Sequence, residues 1–207
     1  MKIQNRNISF RAMPHAQRGV VLMIALIVLV SMTLAAIGMS RSVDTASVVA
    51  GNMSFKQSTL QGGDVGVQAA TTWLTANSGG TTLQNTSAGN GYFSAAPAAE
   101  PDWTDMASWG NARLLNGGVP DNSGNVVRYV IHRMCRLGDS AYNGVVAGQP
   151  NQCAMYYPTS AGASGGSMAV GSTVFEGIPQ LYYRVTTRID GPRNTLSIIQ
   201  VSVLIQV

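Results

Sequence analysis

Between Arg18 and Arg41 the chain runs 22 residues, from Gly19 to Ser40, without a charged side chain. As a helix rising ~1.5 Å per residue, the stretch reaches roughly 33 Å, enough to cross the ~30 Å hydrocarbon core of a bilayer. Lys2, Arg6, Arg11 and Arg18 precede it, and no acid occurs before Asp44. The positive-inside rule therefore predicts residues 1–18 on the cytoplasmic side and the chain from residue 41 onward exported. Three fates are open to such an N-terminus: secretion after cleavage behind the span, an uncut anchor, or cleavage in front of the span. A secretory signal has an apolar core of only ~7–15 residues followed by small residues. Here the run is longer, and the small residue at its boundary, Gly19, comes before it. Cleavage in front of the span is the favoured reading.

The same leader explains the chain's basicity. Of 13 Lys and Arg residues, four lie in residues 1–18, whereas all nine Asp and Glu residues lie beyond residue 43. The exported part is formally neutral, nine charges against nine, so strong electrostatic attraction to nucleic acid is not expected. Its length suffices for one domain with a core. Cys135 and Cys153 both fall in the exported part at a spacing that fits no zinc motif, and a disulfide between them is expected in an oxidising compartment.

No linker follows the span. Residues 41–76 carry no proline, and Val43, Ala46, Val49, Ala50, Met53, Leu60, Val67, Ala70, Trp73 and Leu74 recur at three- and four-residue steps. This is the period of an amphipathic helix, so span and continuation read as one helix, with a bend or local melting expected at Gly62–Gly63. Residues 77–91 turn to Gly, Ser, Thr and Asn, a surface loop. A second short helix is expected in PDWTDMASWGNARLL, capped by Asp102 or Thr104 and stopped at Asn116–Gly117. In VVRYVIHR, Val127, Tyr129 and Ile131 share one face and Arg128 and His132 the other, as in a half-buried strand. Another loop-rich stretch follows Gly138, with a short strand expected at Ser172–Phe175. Leu181 to Ile189 and Ile199 to Val207 then alternate around DGPRN as an antiparallel hairpin with one buried face. The expected fold is α+β, a long N-terminal helix packed on an antiparallel sheet. Its segments are residues 1–19 as leader, 20–40 as span, 41–76 as amphipathic helix and 77–207 as globular head.

These residues resemble the type IV pilins. A short basic leader ends in glycine, an apolar helix starts at the next residue, and an amphipathic continuation enters a small α+β head. The run from Gln17 to Leu74, including the Ala-Gly-Asn at Ala50–Asn52, is similar to the N-terminal region of PilX-type minor pilins, a pilus assembly family. The hairpin YYRVTTRIDGPRNTLSIIQVSV resembles that family's C-terminal strands more loosely, and residues 77–180 carry no motif of it. The resemblance implies cleavage by prepilin peptidase between Gly19 and Val20 and N-methylation of Val20. It implies an inner-membrane single-pass precursor with a periplasmic head, and later a place in the pilus. The implied partners are other minor pilins, the major pilin, the inner-membrane assembly platform and membrane lipid, with no cofactor and no small-molecule substrate. Two positions depart from the usual pilin pattern: the mature chain would begin with Val20 rather than Phe, and its fifth residue is Ile24 rather than Glu. In pilins that glutamate is thought to neutralise the N-terminal amine of a subunit already in the filament, inside a low-dielectric helix bundle. A subunit that enters first meets no such amine, so the expected role is initiation of assembly at or near the tip, with motility and surface attachment following. The alternatives are a membrane-anchored adhesin or ligand-binding tip module, and the tip pseudopilin of a type II secretion system.

Catalytic chemistry finds little support. The two histidines are His15 in the leader and His132, so a serine triad would have to use His132, and no phosphate-loop pattern occurs. Glu100, Asp102 and Asp105 surround Trp103; helix capping is the preferred reading and calcium ligation the weaker alternative. Arg128, Arg133 and Arg136, with Tyr129 and His132, form a basic group expected to be the solvated face of a strand. Trp103 and Trp109 are expected to be core residues.

Overall fold

A computed structural model describes residues 19–158 and 178–206. The leader through Arg18, with Lys2, Arg6, Arg11 and His15, lies outside the described residues, as do the expected strand at Ser172–Phe175 and the final Val207. The chain forms two compact units, with the boundary after Gly51.

Helix α1 (Val20–Ala76) begins directly after Gly19. Its portion in the first unit is long and apolar enough to cross a membrane, and every side chain there from Val20 to Ala50 is exposed. Unbranched and branched aliphatics fill this stretch without an internal charge before Arg41. Ser31 and Thr33 return their hydroxyls to the carbonyls of Val28 and Val30, both at 2.8 Å, so they add no unpaired polar group to an apolar surface.

The second unit is α+β. Residues 52–76 of α1 lie against a six-stranded mixed sheet built from β1 (Tyr92–Phe93), β2 (Arg113–Leu114), β3 (Val126–Arg133), β6 (Met155–Tyr156), β7 (Gln180–Gly191) and β8 (Thr195–Gln206). A separate ribbon pairs β4 (Val145–Val146) with β5 (Gln149–Pro150). The sheet's spine is β7, with β8 along one edge and β3, then β6, along the other. On the far side of β3, β2 pairs antiparallel and β1 parallel. The sheet is thus mostly antiparallel; its parallel pair exists because more than thirty residues separate β1 from β3, room for the return a parallel neighbour requires.

The terminal hairpin follows its alternation. Leu181, Tyr183, Val185 and Thr187 pair with Ile205, Val203, Val201 and Ile199 on the helix-facing side. Arg193 and Asn194, at φ 55° and 58°, turn the chain between Gly191 and Thr195. Around this face the core collects Ala70, Leu74, Tyr92, Tyr129, Ile131, Leu181, Tyr183, Val185 and Ile205. Trp73, Tyr92 and Tyr183 run through it as tilted ring pairs at centroid distances of 5.2 and 6.4 Å.

Four expectations change. No break occurs at Gly62–Gly63: α1 continues through both, and with Gly66 they are buried. A Cβ on Gly66 would stand 2.9 Å from Val127 Cγ1 and 3.0 Å from Thr187 Cγ2, and one on Gly62 would stand 3.3 Å from Ile189 Cγ2. The glycines are sites of close helix-to-sheet approach, where the sheet restrains the backbone freedom that would otherwise loosen the helix. Conversely, Val43, Val49, Met53 and Leu60, expected on the buried stripe, are exposed. The helix expected over residues 101–115 is only the 3-10 turn Met106–Trp109, because Arg113 and Leu114 are drawn into pairing with β3. Finally, β3 and β7 are buried on both faces rather than one: His132, Thr186 and Arg188 are covered, as are their apolar neighbours.

Candidate functional site

Two regions carry the residues singled out by the sequence. The first is the start of α1. Gly19 has φ +119°, a backbone angle L side chains rarely adopt, and its carbonyl accepts the first helical hydrogen bond, from the Met23 amide at 3.3 Å. Val20 is the first helical residue, and the Val20 and Ile24 side chains are both exposed. Ile24 therefore adds to the apolar surface at a place where a carboxylate would interrupt it.

The second region is the outer face of the sheet, where residues 100–109 cover β3 and β7. Glu100 ion-pairs with Arg184 at 2.8 Å and accepts the Trp103 indole N–H at 2.6 Å. The indole, then the Arg184 charge, hold its carboxyl below the usual range. Asp102 accepts from the Thr104 hydroxyl at 2.6 Å and amide at 2.9 Å, which likewise keeps its carboxyl low. Asp105 caps the 3-10 turn by accepting from the Ala107 amide at 3.1 Å. Each carboxylate thus serves its own local donors, and no three His, Cys, Asp or Glu side chains gather as a metal-binding group among the described residues.

Trp103 and Trp109 meet at a centroid distance of 5.0 Å, and the Trp109 indole donates to the Trp103 carbonyl at 2.9 Å. Trp109 is core, whereas Trp103 is half-buried. Beneath them His132 stacks on Phe93 at 5.1 Å. Burial, then the neighbouring Arg184 charge, push the imidazole down to about 4, so it is neutral at pH 7.

The basic group does not form one surface. Arg128 pairs with Asp190 at 3.0 Å on the outer face, Arg136 is exposed, and Arg133 is 1% exposed on the opposite side of β3. Arg133 donates from Nε to the Ser94 carbonyl and from a terminal nitrogen to the Ser140 carbonyl, both at 2.7 Å. The expected solvated face is corrected accordingly: β3 is central, and loops cover the side that simple alternation assigned to water. Arg133 clamps two loop carbonyls in the interior, a role its sequence context did not signal.

Cys135 and Cys153 are joined by a disulfide just beyond β3. Backbone bonds from Arg136 to Gln152 and from Ala154 to Met134, each at 2.8 Å, flank it. Asn151 accepts from the Leu137 amide at 3.0 Å and donates to the carbonyls of Leu137 and Ala141, fixing the loop the bond closes. Asp139 reinforces this corner by accepting from the Thr86 amide at 2.7 Å and the Ser94 hydroxyl at 3.1 Å, which lowers its carboxyl. Neither Asn151 nor Asp139 stood out in the sequence, since loop Asn and Asp usually report only a turn.

The chain matches no family model, no curated protein and no solved structure. What stands is the arrangement: one exposed apolar helix whose continuation is packed on a largely antiparallel sheet, and a head with a disulfide and a heavily hydrogen-bonded outer face.

Proposed function

We propose that this chain is a minor pilin of a type IV pilus, of the PilX type, that primes assembly at or near the tip. The observation that carries the reading is the uninterrupted α1. Its apolar first part starts at the residue after Gly19, and its second part is built into the head. Cleavage at Gly19–Val20 would remove the basic leader and keep the apolar rod, whose exposed aliphatics offer surface to lipid before assembly and to sister helices afterwards. Ile24 in place of glutamate removes the carboxylate that would meet a neighbour's N-terminal amine, which suits a subunit with no predecessor. In this reading the protein is structural rather than enzymatic. Its partners are the prepilin peptidase, the assembly platform, other minor pilins and the major pilin, and its precursor keeps its N-terminus in the cytoplasm and its head in the periplasm.

Mass spectrometry of purified pili tests it. The expected species begins at N-methylated Val20, retains the Cys135–Cys153 bond and occurs at a small fraction of the major subunit. A native chain beginning at Met1 or downstream of Arg41 would overturn the filament reading. The tip assignment has its own test: Ile24→Glu should spread the protein along the shaft, whereas wild-type protein already distributed there at major-subunit levels would remove it.

A further inference from the structure

The outer face holds a small recess that the filament role does not use. It lies between β1, β3 and residues 101–111, has a volume of about 220 Å³, and is walled by Phe93, Pro101, Trp103, Ser108, Asn111 and His132. Pockets for drug-sized ligands run roughly 300–1,000 Å³, so this smaller space suits a single ring. None of those side chains carries a formal charge at neutral pH, since the imidazole titrates near pH 4. No lining side chain therefore offers a counter-charge to an ionic occupant.

Its chemistry is mixed in a particular way. Phe93 and Trp103 are half-buried, so part of each aromatic surface remains open to contact with C–H groups. His132 is more than nine-tenths buried, and its Nδ1 has no hydrogen-bond partner among the described residues. That nitrogen is sealed from solvent as well, so the imidazole serves the recess as a wall rather than as a hydrogen-bonding partner. The indole N–H groups of Trp103 and Trp109 are already committed to Glu100 and to the Trp103 carbonyl. Polar capacity at the recess is thus left to the Asn111 amide and the Ser108 hydroxyl oxygen. Aromatic walls, uncharged hydrogen-bonding groups and room for one ring match a ligand with an apolar C–H face and hydroxyls at its rim.

We propose that this recess binds one neutral hexose residue, its C–H face against Trp103 and Phe93 and its hydroxyls paired with the Asn111 amide and the Ser108 hydroxyl oxygen. The inference goes beyond the filament role and does not depend on it: a chain that is no pilin would still carry the recess, and a pilin without the site would still prime assembly. Because the contact is small, affinity for a free monosaccharide is millimolar, and presentation of many copies on a glycan surface would be needed for firm attachment.

Saturation-transfer NMR reads the site from the ligand's own protons. The full chain in a zwitterionic micelle, free of sugar headgroups, is exposed separately to glucose, galactose, mannose and N-acetylglucosamine at 20 mM, and to phenol as an uncharged planar competitor. The expected result is saturation of the C–H protons of at least one hexose. Trp103→Ala and Asn111→Ala should each reduce it at least fivefold while the disulfide and circular dichroism stay unchanged. Should Trp103→Ala disturb folding, Asn111→Ala, a change at an exposed position, still decides the matter. No transfer to any of the four sugars, transfer to phenol alone, or equal transfer in wild type and Asn111→Ala would each overturn the proposal.

Discussion

Two stretches of the same helix use opposite residues for opposite surroundings. From Val20 to Ala50, α1 leaves Leu, Ile, Val and Met exposed along its whole circumference, whereas from Asn52 to Ala76 it buries Thr59, Gly62, Gly63, Gly66, Ala70 and Leu74. Leu74 apart, the residues the second stretch buries are small, whereas the large apolar side chains of the first stretch lie outside. In the second unit the sheet supplies the bulk, through Val127, Thr187, Ile189 and Ile199, and the helix supplies the absence of it. An aliphatic surface with no protein partner needs a nonaqueous one, and a glycine face needs a protein partner close by. Helical periodicity alone does not distinguish the two; the size of the residues on each face does.

The largest way to break this contrast is to charge the first stretch. Replacing Leu26 and Val30 by Lys puts two charges near the middle of the span at ~2.5–3.5 kcal/mol each, together roughly 5–7 kcal/mol. The chain should shift from the alkali-resistant membrane pellet to the soluble fraction, while the head retains its disulfide. Retention in the pellet would mean that this helix is not held by lipid.

A pH titration separates the units next. His132 has its folded-state value lowered to about 4 by burial and by Arg184, against an ordinary 6.5. The unfolded state therefore binds the proton more readily between those values, so the head is fully stabilised above about pH 6.5 and loses stability as pH falls toward 4. The loss is on the order of 2–3 kcal/mol. Chemical denaturation at pH 7 and pH 4.5, followed by tryptophan fluorescence, should show it in wild type and not in His132→Phe. The helical signal of the first unit should not change.

The smallest effect sharpens the glycine argument. Gly66→Val should destabilise the head by about 2 kcal/mol, because Val127 and Thr187 occupy the space a side chain needs. Gly51→Ala, where a Cβ meets nothing within 4 Å, should be neutral or gain up to ~1 kcal/mol from helix propensity. Equal responses in thermal unfolding would erase the distinction between the two stretches.

The helix, the terminal hairpin and the disulfide were legible from the chain because each follows from a local or pairwise rule. An uncharged run has only so many places to be, two 12-residue alternating strands around a turn must pair, and the chain's two cysteines have each other. Legibility ended where a residue's environment came from a segment far away. Gly62–Gly63 looked like a weak point because the sequence does not reveal that a sheet backs it. His132 looked solvated because β3, judged alone, has one polar face, and Arg133, on the other face, because it stands in sequence beside Arg128 and Arg136; the residues within 94–109 and at 140 that cover or accept from them come from elsewhere in the chain.

By itself, then, the amino-acid order determined a helix long and apolar enough to cross a membrane, the class of fold and the strand faces of the hairpin, since period, charge and length act within a few residues. The tertiary structure alone decided that the glycines are contacts, that the arginines part to opposite sides of β3, and that Phe93, Trp103 and His132 wall one recess. Burial is a property of what arrives from a distance, and no local pattern encodes the arrival.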